Sequence, residues 1–111
     1  MTADRDLEST LARLRDRLEE VDGELIRLVG ERRSLALEVG RVKDALGRPV
    51  LDPTREARVV RRAAERARDM GVDEELIRDV IWRIIASARE AQTGQSHWGP
   101  PQTPEATGPE G

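Results

Sequence analysis

The sequence predicts an all-α protein made of one long helix, two shorter helices and a polar tail. Three observations predict it. From Leu7, apolar residues recur in alternating steps of four and three: Leu7, Leu11, Leu14, Leu18, Val21, Leu25 and Leu28, then Leu35, Val39, Val42 and Leu46. That spacing draws a narrow apolar seam along one side of an α-helix. Asp52-Pro53 and Asp73-Glu74-Glu75 carry helix-start chemistry, while Gly47 and Gly71 are natural stops. Beyond Gln92 the text turns to Gly, Pro, Ser, Thr and Gln, which cannot build a core.

The first helix is expected from about Asp6 to about Leu46, ending at Gly47. Gly23, Gly30 and Gly40 lie inside it, each costing up to about 1 kcal/mol relative to Ala, so propensity alone does not hold it. At about 1.5 Å per residue it is a rod near 60 Å long, too long for one small chain to cover. An oligomer is the expectation. The second helix starts on the Asp52 cap and runs through Val59, Val60, Ala63, Ala64 and Ala67 to Met70, its alanines allowing close packing. Val72, after Gly71, suits the apolar contact of a glycine-capped helix end. The third helix follows Asp73 and buries Leu76, Ile77, Val80, Ile81, Ile84, Ile85 and Ala88, with Gln92 closing the stripe. The short helices, about 27 Å each, are expected end to end along the rod. Two copies with antiparallel long helices then bury both seams, as an intertwined six-helix homodimer. Residues 1–92 form the expected domain and 93–111 a disordered Pro/Gly-rich tail.

Composition removes several functions. Charged residues make up 37% of the 111, at 19 basic against 22 acidic, and the net charge of -3 lacks the basic excess of a nucleic-acid binder. Two tryptophans without Phe or Tyr offer no platform for stacking bases. No apolar run approaches the roughly 20 residues of a membrane span. Met1–Leu7 lacks the apolar core of a secretory signal, and the absence of cysteine fits a reducing cytoplasm. His97, the sole histidine, falls in the tail, so neither a thiol nor a Ser-His nucleophile is expected in the folded part. No metal-ligand spacing and no Gly-rich phosphate loop occurs, so no cofactor is expected.

What remains is a set of polar residues on apolar faces. Arg32 stands where the seam should continue. Lys43, a lone lysine among arginines, follows it by three helical turns and leaves the same side of the rod, with Ala36, Val39 and Gly40 small enough between them to admit a ligand. Across about 16 Å, two long side chains leaning inward suit a small dianion. Arg15, about 25 Å back along the rod, reaches such a pocket only from an antiparallel partner. Asp52, Arg55 and Glu56 open the second helix, and Gln92 ends the third. Each has a plain alternative: a solvated patch for Arg32 and Arg15, a surface lysine for Lys43, a cap for Asp52, a fraying end for Gln92. Together they describe a cationic, water-poor pocket with one acid and one neutral amide.

Leu14-Arg15-Asp16 through Val21-Asp22, then Glu31-Arg32-Arg33, Glu38-Val39-Gly40-Arg41-Val42-Lys43, and Arg48-Pro49-Val50 through Asp52-Pro53-Thr54-Arg55-Glu56, resemble the all-helical, AroQ-type chorismate mutases. The likeness runs from about Leu7 to Gln92. It implies an intertwined homodimer with two shared sites, an isomerase converting chorismate to prephenate without cofactor. It further implies that Arg32 and the partner subunit's Arg15 bind the substrate carboxylates, and that Lys43 and Gln92 hydrogen-bond the ether oxygen. Glu56, with Asp52 and Arg55 near it, would hold the ring hydroxyl, and Val39 would line the pocket. Ala88 stands where the family places a serine against the ring carboxylate, with Ser87 turned about 100° away. Relatives of the same fold acting on 4-amino-4-deoxychorismate, or releasing pyruvate from isochorismate, remain open. So does a non-catalytic helical regulatory dimer, for which the arginine-rich face of the second helix offers a surface.

Overall fold

A computed structural model describes residues 2–93; the expected tail beyond Thr93, including His97, lies outside them. Three helices occur in order: α1 (Thr2–Ala45), α2 (Pro53–Asp69) and α3 (Glu74–Thr93). The described residues form two units that divide between Arg32 and Arg33. No described helix is long and apolar enough to cross a membrane.

The first unit holds the N-terminal part of α1, which begins four residues before the expected Asp6. Nothing between Thr2 and Asp6 breaks a helix, and Asp4 complements the dipole of the first turn. Its surface carries ladders of charge, Arg17 to Glu20 at 3.1 Å and Arg27 to Glu24 and Glu31 at 2.5 and 3.3 Å. Such exposed pairs are screened and contribute little. Leu7, Leu11, Leu14, Leu18, Val21, Leu25 and Leu28 are all exposed in the single chain.

The second unit holds the rest of α1 and the α2–α3 pair. Gly47, at φ 74, turns the chain out of α1: its N–H donates to the Asp44 carbonyl at 3.0 Å and that of Arg48 to Lys43 at 2.8 Å. Gly71 repeats the device after α2, with bonds from its own N–H to Arg68 at 3.1 Å and from Val72 to Ala67 at 2.8 Å. Both turns are the paired closure that a left-handed glycine permits. The starts follow the sequence equally. Asp52 accepts from the Arg55 N–H at 3.1 Å ahead of Pro53, and Asp73 accepts from Glu75 and Leu76 at 2.9 and 3.2 Å.

The expected end-to-end arrangement of the short helices is corrected. α2 and α3 lie side by side and antiparallel. Ala64, Ala67, Ile85 and Ala88 are buried between them. Two alanines a turn apart on α2 let α3 approach closely, and the short Gly71 turn reverses the chain into that contact. An ion pair closes each end of the hairpin: Arg68 to Glu74 at 2.7 Å beside the turn, and Arg89 to Glu56 at the far end. α3 also runs on to Thr93, past the residue expected to end it.

The Arg68 guanidinium holds the Glu74 carboxyl below its usual value of 4.5. A carboxylate depressed in the folded state adds stability above its unfolded value and loses it as pH falls through the folded one. Glu74→Gln should therefore lower the melting temperature slightly at pH 7, and the difference should shrink as pH falls below the usual carboxylate range and the folded carboxyl takes up its proton. Melting curves of both proteins from pH 7 down to pH 3 check this; an equal loss at both ends would remove the pair from the account.

Candidate functional site

The second unit holds seven of the predicted site residues, Val39, Lys43, Asp52, Arg55, Glu56, Ala88 and Gln92, on the end of α1 and the hairpin. Gly40 is the buried residue of α1, and it is buried because Gln92 of α3 lies on it. A Cβ placed at Gly40 would meet Gln92 Nε2 at 2.8 Å. The Gln92 amide donates from that nitrogen to the Ala36 carbonyl at 2.7 Å. A carbonyl partner identifies the atom facing α1 as nitrogen and fixes the amide's orientation. One N–H and the amide oxygen remain for other partners.

Lys43 lies one turn beyond Gly40 and is half-buried. Its ammonium donates to the Val50 carbonyl at 3.5 Å, a long and weak bond that leaves most of its donor capacity uncommitted. Val39, on the same flank, is 54% exposed. At 100° per residue, Ala36, Val39 and Lys43 leave α1 on one flank of Gly40, and Leu37, Arg41 and Asp44 on the other. An open groove of about 490 Å³ follows the second flank, lined by Leu37, Gly40, Arg41, Asp44, Val50, Ala91 and Gln92. It therefore shares Gln92 with the predicted pocket but lies on the side of Gly40 away from Lys43. Its Arg41 and Asp44 carry opposite charges, so it is not a cationic surface.

At the start of α2, Asp52 is spent on its cap and Arg55 is exposed. Glu56 is mostly buried and faces Arg89 across the hairpin. Two of the three guanidinium nitrogens take part, Nη2 donating to Oε1 and Nε to Oε2, the latter at 3.4 Å. The Arg89 guanidinium also lies 5.5 Å from the centroid of the Trp82 ring, a cation–π distance. Sequence reasoning missed Arg89. The available signal was an arginine one turn before Gln92, on the side of α3 that also carries Trp82, Ile85 and Ala86. Ala88 itself is 3% exposed and belongs to the α2–α3 contact. Within the first unit Arg15 is exposed and Arg32 half-buried. Among the described residues no three of His, Cys, Asp or Glu come together as metal ligands.

The family model for chorismate mutase type II matches residues 14–93, a span that contains every residue just described. The T-protein of Enterobacter agglomerans is 37% identical over 89 residues, 80% of this chain and 23% of the relative, so the chain spans about a quarter of that protein's length. The chorismate mutase of Methanocaldococcus jannaschii is 36% identical over 66 residues, 60% of this chain and 67% of the relative. The 4-amino-4-deoxychorismate mutase of Streptomyces venezuelae is 37% identical over 78 residues, 70% of this chain and 76% of the relative. No solved structure matches significantly. The extent of the family match, through α2 and the whole of α3, shows that this chain belongs to the chorismate mutase type II family.

Proposed function

We propose that the protein is a chorismate mutase, rearranging chorismate to prephenate in a pocket on the Lys43 flank of α1. The observation that carries this reading is Gln92. Its amide is anchored over Gly40 by the Ala36 carbonyl, with a second N–H to give, one turn from an ammonium whose bond to Val50 is weak. Two donors so placed suit an oxygen that gains negative charge.

The reaction breaks a C–O bond while forming a C–C bond. It needs no nucleophile and no proton shuttle. It needs the dianion held in its compact conformer, and it needs charge stabilised on the departing ether oxygen. Arg32 and the partner subunit's Arg15 each take one carboxylate, for which a guanidinium fork is the matching shape. Lys43 and Gln92 donate to the ether oxygen, and preorganised donors of this kind contribute about 3–4 kcal/mol each. Lysine is a compact point charge that arginine does not imitate, which accounts for its retention in an arginine-rich chain. Glu56 accepts from the substituent at ring carbon 4.

A homodimer belongs to the same proposal. Along the seam, side chains from Leu7 to Leu46 are between 45% and 67% exposed. Covering the exposed half of each is worth about 1 kcal/mol, so the eleven together approach 10 kcal/mol, comparable with the whole stability of a small domain. A second copy, antiparallel on the first, supplies that cover and brings its Arg15 to the pocket.

Three expected outcomes test the reading. Lys43→Ala should lower kcat on chorismate by about a hundredfold or more with the fold and oligomeric state unchanged; a fully active variant removes Lys43 from the chemistry. Arg15→Ala and Arg32→Ala, each inactive alone, should regain activity when mixed under subunit exchange. Half the dimers are then mixed and each has one complete site of two, giving about a quarter of the wild-type sites. No recovery despite proven exchange sinks the shared pocket. Gly40→Ala should keep or raise the melting temperature, since Ala is the better helix former and the obstacle is a movable side chain. The same change should cut kcat by about tenfold or more by displacing the Gln92 amide. Melting and turnover moving together would contradict it.

A further inference from the structure

We propose that Arg89 is a positioning residue that sets the specificity of the site at ring carbon 4, making it accept a neutral hydroxyl in preference to an ammonium group. The inference rests on the reading of the site given under Proposed function, and names its substrate more closely. The identities to relatives do not decide this, because the chorismate mutase and the 4-amino-4-deoxychorismate mutase are 36% and 37% identical to the chain. The environment of Glu56 does.

Taken alone, a mostly buried carboxylate facing a ligand would favour a cation. It would gain a strong charge-assisted bond with an ammonium and would stand uncompensated opposite a hydroxyl. Glu56 is not alone. Arg89 meets both of its oxygens from the adjacent helix, and the side chains are only 16% and 34% exposed, so solvent screens the pair weakly. The pair is electrically neutral. A carboxylate has about four lone-pair directions, and Arg89 occupies two, so Glu56 still accepts a hydrogen bond from an O–H. An ammonium at the same place gains attraction from Glu56 and loses it to repulsion from Arg89, while surrendering its hydration. A hydroxyl surrenders far less.

Arg89 is also built to stay. It rises from the last turns of α3, opposite the first turn of α2, where the Ala64, Ala67, Ile85 and Ala88 contact sets the separation of the two helices. The face of its guanidinium is steadied by the Trp82 ring seven residues earlier on the same helix. Swinging it away to admit a second cation would give up the ion pair and the ring contact together.

The test compares kcat/KM for chorismate and for 4-amino-4-deoxychorismate, at one pH, in the full-length protein and three variants. The wild type should favour chorismate by roughly tenfold or more. Arg89→Met, of similar length but uncharged, should shift the ratio toward the amine by roughly tenfold or more, through loss on chorismate, gain on the amine, or both. Arg89→Gln, which keeps an N–H for Glu56 without the charge, should shift it in the same direction and stands in if the methionine variant does not fold. Arg89→Lys restores the charge and should return the ratio to near the wild-type value. A merely structural arginine would change both substrates in parallel; an unchanged ratio in the uncharged variant that folds overturns the assignment. Wild-type activity on chorismate with an unmoved ratio leaves the mutase reading standing and removes only the role of Arg89. A wild type that turns over neither compound overturns both, and one that prefers the amine overturns the inference directly.

Discussion

The close contact of two alanines on α2 with Ile85 and Ala88 on α3 governs the second unit. Ala64 and Ala67 are 1% and 5% exposed, and side chains so small let the helix axes come together. That approach places the long-range polar contact across the hairpin. It sets Glu56 opposite Arg89, which are 33 residues apart in sequence. It also fixes α3 firmly enough that Gln92, near its end, lies on Gly40 and reaches the Ala36 carbonyl. Larger residues at Ala64 or Ala67 would part the helices and loosen both pairs at once.

The helices carry their polar groups in an order that suits charge stabilisation. Gln92 is anchored by one N–H, and Lys43 by one long bond to Val50. Each therefore keeps its direction while retaining capacity for a ligand. Such partial commitment is what preorganisation requires: the groups are already aimed, so no reorganisation is needed as charge develops. Glu56 differs. Its charge is matched by Arg89, so what it retains is hydrogen-bond acceptance without net charge. In the proposed site, cation donors thus face the oxygen that becomes negative, and a neutralised acceptor faces the substituent that does not react.

Local signals in the sequence determined the helices, both glycine stops and both aspartate caps, because each depends on residues within one or two turns of it. The apolar seam and the lone Lys43 on its flank were legible for the same reason: helical periodicity alone sets which residues share a side. The start of α1 was misjudged by four residues, since no cap or breaker marks it.

Contacts between helices were another matter. That α2 folds back along α3, that Glu56 is neutralised by Arg89, and that Gln92 rests on Gly40 all depend on how closely two surfaces approach. Ala63, Ala64 and Ala67 permit such closeness but do not choose its partner. The choice is made when the Gly71 turn reverses the chain and apolar surface is buried on whichever face it meets. Sequence by itself thus determined where each helix begins to be amphipathic and which side chains share a face. Only the tertiary structure decided which charges cancel, because cancellation depends on distance across the interface and not on spacing along the chain.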